Sequence, residues 1–172
     1  MALRITKVYD ANVYLNNDNK HGLASEVALP EVSFIVEEYN SLGLVGSPQY
    51  GKGVEAMEMT ITWKYPDNDA QIALATPFSP VDLMICASKS VYENGALVDE
   101  QPIRVFIRGT SKGLPGGSFV GKDDVSIATA IAVNYYKLEV DLEEIIELDT
   151  EGNRFIVGGV DIMAQRRVNL GI

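Results

Sequence analysis

Between Val54 and Trp63 the chain alternates with a period of two. Glu55, Met57, Met59, Ile61 and Trp63 fall on one side; Ala56, Glu58, Thr60 and Thr62 fall on the other. Successive side chains of a β-strand point to opposite faces, so this is a strand with one apolar face; a helix does not produce that period. Residues 103–109 repeat it, with Ile103, Val105 and Ile107 opposed to Arg104, Phe106 and Arg108. Residues 125–140 are rich in β-branched and aromatic side chains and run on into 142–148, a composition that favours strands. Further strands are predicted at 12–15, 23–29, 31–39, 82–92 and 154–157. Several are apolar on both faces, which calls for cover on both sides, as in a sandwich or closed barrel.

Two short helices complete the prediction. Asp67 is placed to cap a turn over 68–75, with Asp69 at its positive end and Pro77 to stop it. A second helix is predicted at about 160–168, with Asp161 near its start and Arg166 and Arg167 near its end. No repeat, low-complexity tract or linker divides the sequence. The expectation is a mainly β (α+β) fold, one domain over 1–172, large enough to bury its own core.

Two segments fit neither period. Residues 40–53 contain Gly43, Gly46, Gly51, Gly53 and Pro48; residues 110–124 contain Gly113, Gly116, Gly117, Gly121 and Pro115. Connections that long in a compact domain are commonly functional or disordered. An interaction arm and simple mobility both remain open for each.

Charge and cysteine narrow the function classes. Fourteen basic and twenty-four acidic residues leave a formal charge of −10. That sign repels phosphate and argues against a nucleic-acid reader. It fits either solubility by self-repulsion or a surface that a polyanion passes without sticking. Cys86 is alone, which rules out an intramolecular disulfide, and its apolar neighbours predict a buried, inert thiol. No run of eighteen apolar residues exists to cross a bilayer as a helix, and the first residues lack the apolar core of a secretory signal. Folding in the cytoplasm is expected.

Catalytic motifs are tested and fail. Residues 116–123, Gly-Gly-Ser-Phe-Val-Gly-Lys-Asp, copy a phosphate-binding loop up to Lys122, but Asp123 stands where a magnesium-holding hydroxyl is required. Residues 125–129, Val-Ser-Ile-Ala-Thr, look like a strand, not the helix whose N-terminus would face the anion. The glycines from Gly51 imitate a dinucleotide fingerprint without the preceding strand or following helix. His21, the single histidine, lies in a turn-rich stretch with no partner spacing for a metal. The acidic run Glu139, Asp141, Glu143, Glu144, Glu147, Asp149 and Glu151 lacks the glycine turn of a calcium loop and is read as a solvated strand face. No catalytic residue, cofactor or metal is predicted.

Several stretches together resemble a known family. Leu29-Pro30 opens a strand ending Glu37-Glu38-Tyr39; a glycine-bearing loop comes next, then Gly53-Val54-Glu55-Ala56-Met57-Glu58. Later come Ala132-Val133-Asn134-Tyr135-Tyr136-Lys137-Leu138-Glu139-Val140-Asp141, Glu147-Leu148-Asp149, and Val157-Gly158-Gly159-Val160-Asp161 with Arg167, Asn169, Leu170 and Gly171. In order and spacing these are similar to the major tail tube proteins of contractile-tailed phages and R-type pyocins. The resemblance implies a tail-tube β-barrel or sandwich with a long hairpin, one short helix and a short C-terminal helix. It implies homo-hexameric rings stacked into a hollow tube, a conduit for DNA or the puncturing tube of a pyocin-like particle. The implied partners are the tail sheath, baseplate and tail terminator proteins, a tape measure protein in the lumen, and DNA in non-specific transit only. The implied location is the virion tail, after synthesis in the host bacterial cytoplasm.

By the same resemblance, 31–39 and 54–63 form the long hairpin, and the loop between them reaches the neighbouring ring through Asn40, Ser41, Leu42, Gly43, Gly46, Gly51 and Gly53. Alternation makes Glu37 and Glu58 candidates for charges facing the lumen. Two positions depart from the family pattern: Asn40 replaces a basic residue after Tyr39, and Leu142 stands where the turn usually carries glycine. The competing reading is a monomeric small-ligand-binding β-barrel, which requires an enclosed apolar cavity.

Overall fold

The computed structural model describes residues 3–114, 116–117, 121 and 125–172. The strands are β1 (Arg4–Leu15), β2 (Asp18–Asn19), β3 (Ala24–Ala28), β4 (Phe34–Glu38), β5 (Gln49–Val54), β6 (Met57–Trp63), β7 (Pro80–Glu93), β8 (Ala96–Ser111), β9 (Ile127–Val140), β10 (Glu143–Asp149), β11 (Arg154–Val157) and β12 (Val160–Asp161). Two short helices, α1 (Asn68–Ala75) and α2 (Ala164–Leu170), complete the described elements. The fold is mainly β, as the alternation requires.

One antiparallel sheet forms the body, in the order β12-β11-β10-β9-β8-β7-β1-β2, with β6 joined to β9 and β3 joined to β6. Strand β9 is its branch point. One edge pairs with β8; the other pairs with β6 over Ile127–Val133 and with β10 over Tyr135–Val140. The hand-over occurs at Asn134, whose carbonyl accepts from the Thr150 amide at 3.0 Å and the Thr150 hydroxyl at 2.9 Å. Opposite it, β8 shifts register between Arg108 and Gly109, a bulge that lets the sheet bend. A Cβ at Gly109 would sit 2.2 Å from the Ala132 carbonyl oxygen, so this close approach requires glycine.

Bending brings the inner faces onto one core. Met57, Met59, Ile61 and Trp63 of β6 meet Val81, Leu83 and Ile85 of β7, Val105 and Ile107 of β8, and Ile131 and Val133 of β9. Helix α1 closes one side. Asp67 caps it by accepting from the Ala70 amide at 2.8 Å, and Ala70 and Leu74, four apart and so on one face, bury into the core. The same Asp67 carboxylate lies 2.6 Å from the ammonium of Lys20, which is 2% exposed and also meets Asp18 at 2.5 Å. Burial disfavours the charged ammonium, but the two carboxylates outweigh it and hold its pKa above the usual value. Lys20 in turn holds Asp67 below the usual carboxylate range.

Two-residue turns join the hairpins, with positive φ at both central residues: Asn16–Asn17, Asn94–Gly95 and Asp141–Leu142. Leu142 has φ 65°, a conformation a branched side chain resists, which explains why glycine suits that place.

The predicted strands are found, several of them longer: 12–15 becomes Arg4–Leu15, and 103–109 becomes Ala96–Ser111. Three expectations are corrected. The second helix begins at Ala164, because Gly158 and Gly159, at φ 55° and 78°, turn the chain back so that Val160–Asp161 pairs with Ile156–Val157. Cys86 is half-buried, because alternation along β7 turns it away from the inner face that holds Leu83 and Ile85. The acidic run is a solvated face only in part: Asp141, Glu143 and Glu151 are exposed, while Glu139, Glu144 and Glu147 are half-buried and paired. Lys137 bridges Glu139 at 2.9 Å and Glu144 at 3.0 Å, and Glu147 accepts from the Tyr135 hydroxyl at 3.2 Å. Burial, then the Glu147 charge, pushes the Tyr135 phenol up to about 12.

Candidate assembly interface

Strands β4 and β5 form a separate two-stranded sheet that projects as an arm. The expected hairpin of 31–39 with 54–63 is corrected in its pairing: β4 pairs with Gln49–Val54, while Met57–Trp63 pairs with β3 and β9. Gly51 and Gly53 therefore belong to a strand, and the loop shortens to 39–48. Both pairings nonetheless belong to one bent ribbon. Ala28 faces Thr60 in the body and Phe34 faces Val54 in the arm, leaving five residues on each side, 29–33 and 55–59. The ladder is interrupted there without changing count. The 55–59 side departs to pair with β9 from Met57, and Pro30, which has no amide hydrogen, sits in the other side.

The arm ends in a loop of ten residues, none charged. Its ends are tied by the Tyr39 amide donating to the Pro48 carbonyl at 2.9 Å and by the Ser47 hydroxyl donating to the Asn40 side chain. Tyr39 and Tyr50 meet edge to face at 6.3 Å below it. Gly43 has φ 89°, which glycine permits. At the tip, Leu42 and Val45 are fully exposed (103% and 109%) and Leu44 is 50% exposed. Along the strands, Phe34, Ile35 and Val36 are exposed in sequence, so both faces of β4 present apolar groups to solvent. Surface of that kind marks interaction sites.

Among the described residues, the base of the arm touches the body through an aromatic pair: the Phe34 and Phe155 rings lie 6.1 Å apart. Beside them is an open groove of about 350 Å³, lined by Phe34, Val54, Phe155, Ile162 and Met163, with Lys52 and Arg166 also on its lining. Gly51 and Gly53 complete it, and a Cβ on either would meet nothing within 4 Å. Helix α2 buries no side chain; Arg167 anchors it, reaching Asp161 at 2.5 and 3.3 Å and the Asn153 carbonyl at 3.1 Å. Sequence reasoning found the loop but missed this groove, whose walls come from segments far apart in the chain.

Glu37 and Glu58 are not brought together. Glu37 is on the arm, 3.2 Å from Lys52; Glu58 is on β6 of the body, paired with Lys112. Each carboxylate is thus partly neutralised within its own subunit. His21 is exposed in a turn, and no cluster of three metal-ligating side chains occurs among the described residues. Within the phosphate-loop imitation, residues 118–120, Lys122 and Asp123 lie outside the described residues. A second concavity of about 480 Å³ lies on the outer face of β7, β8 and β9, where Met84 and Phe106 are flanked by Asp82, Arg108, Lys137 and Glu139. It is open to solvent, unlike the enclosed apolar cavity that a small-ligand carrier requires.

The family described as phage tail tube protein FII matches residues 5–171. The chain is 27% identical to the tail tube protein of Escherichia phage P2 over 165 residues, 94% of each chain. It also resembles a solved structure of an extracellular contractile injection system, the PVC sheath/tube terminator in the extended state. That likeness has a TM-score of 0.55 at 12% identity and covers 77% of this chain and 95% of that one, a likeness of fold. The chain belongs to the phage tail tube protein family, and its role is structural.

Proposed function

We propose that this subunit assembles into homo-hexameric rings that stack head to tail as the inner tube of a contractile tail or pyocin-like particle, with the arm making the ring-to-ring contact. The observation that carries the reading is the arm itself. It leaves apolar groups exposed on both faces and at its tip, and among the described residues it meets its own body at its base. Apolar strand surface without cover in one subunit gains it from another. A heterologous contact that does not close on itself propagates as a filament, whereas one that closes makes a ring; a tube uses both.

The net charge of −10 supports a lumen that DNA traverses by repulsion instead of adhesion. Glu37 and Glu58 are its proposed wall charges, with Lys52 and Lys112 setting how negative that wall is. The sheath, baseplate, terminator and tape measure proteins are the proposed partners outside and within the tube.

Negative-stain electron microscopy of the purified protein tests this. Rings or long tubes are expected, and monomers at every concentration would overturn the reading. Replacing residues 40–47 by an Asn-Gly turn should leave a folded subunit that no longer forms long tubes. Undiminished tube growth would remove the loop from the contact.

A further inference from the structure

We infer that the groove between the arm's base and the C-terminal helix is the receptor for the arm tip of the next copy, with Leu42, Leu44 and Val45 entering against Phe34, Val54, Phe155, Ile162 and Met163. The inference rests on the reading of the arm as the axial contact and names what it contacts.

Reach decides the occupant. Groove and tip sit at opposite ends of the same two strands. The groove's lining reaches up the arm to Gly51, which pairs with Val36; Val36 is three residues short of Tyr39, roughly 10 Å along an extended strand, so the tip of the arm does not fill its own groove. A second copy can. Two copies carrying −10 each repel, so the surfaces that meet must be neutral or of opposite sign. The tip has no charged residue, and the groove's charged lining, Lys52 and Arg166, is cationic. Tip and groove are different surfaces of one chain, so their union is heterologous: each copy presents one tip and one vacant groove, and stacking continues without a natural end. One glycine gains a purpose as well. Gly51 pairs with Val36, on the face that Phe34 and Val54 present to the groove, and keeps that face open; Gly53 pairs with Ile35 and faces the other way.

The test uses the full chain with Cys86→Ser, to remove the native thiol. Leu42→Cys and Ile162→Cys variants, oxidised separately and then as a mixture, are run on a non-reducing gel. A disulfide-linked pair that is abundant only in the mixture is expected. A mixture no more cross-linked than either variant alone would overturn the inference. Gly51→Val, which adds a side chain on the groove face with nothing of the fold within 4 Å of its Cβ, should abolish long tubes while rings persist. Long tubes from Gly51→Val would also overturn it. The two readings fail separately. If the shortened loop stops stacking but the filled groove does not, the arm remains the axial contact and the groove is not its receptor. If neither change affects stacking, both readings fall.

Discussion

The body and the arm are built from the same bent ribbon, yet they solve opposite problems. In the body, β6 alternates Met57, Met59, Ile61 and Trp63 inward, all nearly fully buried, against Glu58, Thr60 and Thr62. In the arm, β4 places Phe34, Ile35 and Val36 in an unbroken apolar run and buries none of them. A strand with one face to water alternates; a strand destined for cover on both faces need not. The contrast teaches that apolar content alone does not locate the core of this subunit. The arm has core-like sequence without the core, which is what the proposed contact with a second copy would cover.

The comparison is broken if the arm matters to subunit stability or the body does not. The largest effect is expected at Trp63, which is completely buried at the meeting of β6, β3 and β9. Trp63→Ala should cost about 3–5 kcal/mol, read as a lowered urea midpoint in dilute, unassembled protein. Next is Asp67, which both caps α1 and partners buried Lys20. Asp67→Ala should cost about 2 kcal/mol. Roughly half is the cap, and the rest is a buried-pair loss discounted because Asp18 remains and the Asp67 side chain is 40% exposed.

That pair also fixes a pH dependence. The folded pKa of Asp67 lies below its unfolded value, so its contribution is complete above about pH 4 and is lost as pH falls through the folded value. Acid titration of stability should be shallower in Asp67→Ala than in the parent protein.

A smaller effect of opposite sign is expected at the β9–β10 turn. Leu142→Gly should stabilise by about 1 kcal/mol, raising the melting temperature by a few degrees, because it relieves a left-handed leucine. Smallest of all is Val45→Asp at the exposed tip. It should move stability by less than about 0.5 kcal/mol while sharply reducing the length of assembled tubes by electron microscopy. A large stability loss there would show that the tip packs on its own body.

Much of the fold is legible from residues, for physical reasons. The cap Asp67 and the stop Pro77 bracket α1 because both act through local backbone groups. The alternation of β6 is legible because its inner face lies against the subunit's own core. Lys20 is not legible: nothing in a turn-rich stretch announces that two carboxylates, one of them 47 residues away, will enclose its ammonium. The partner of β4 is misassigned from sequence because glycines at 51 and 53 look like loop, while the structure uses them as strand with open space above. The groove escapes entirely. Its walls are adjacent only after β11 and α2 fold back beneath the arm, and no spacing along the chain encodes that.

The matched count across the bend carries a further consequence. Because five residues separate Ala28 from Phe34 and five separate Val54 from Thr60, the arm's faces are phased to the body's like teeth on two racks. Adding one residue to 29–33 alone would turn Ile35 toward Phe155 and send Phe34 to water. Adding two to both sides would preserve every face and lift the tip by about 7 Å. Insertions in the bend can therefore lengthen the arm without turning its faces only in steps of that size.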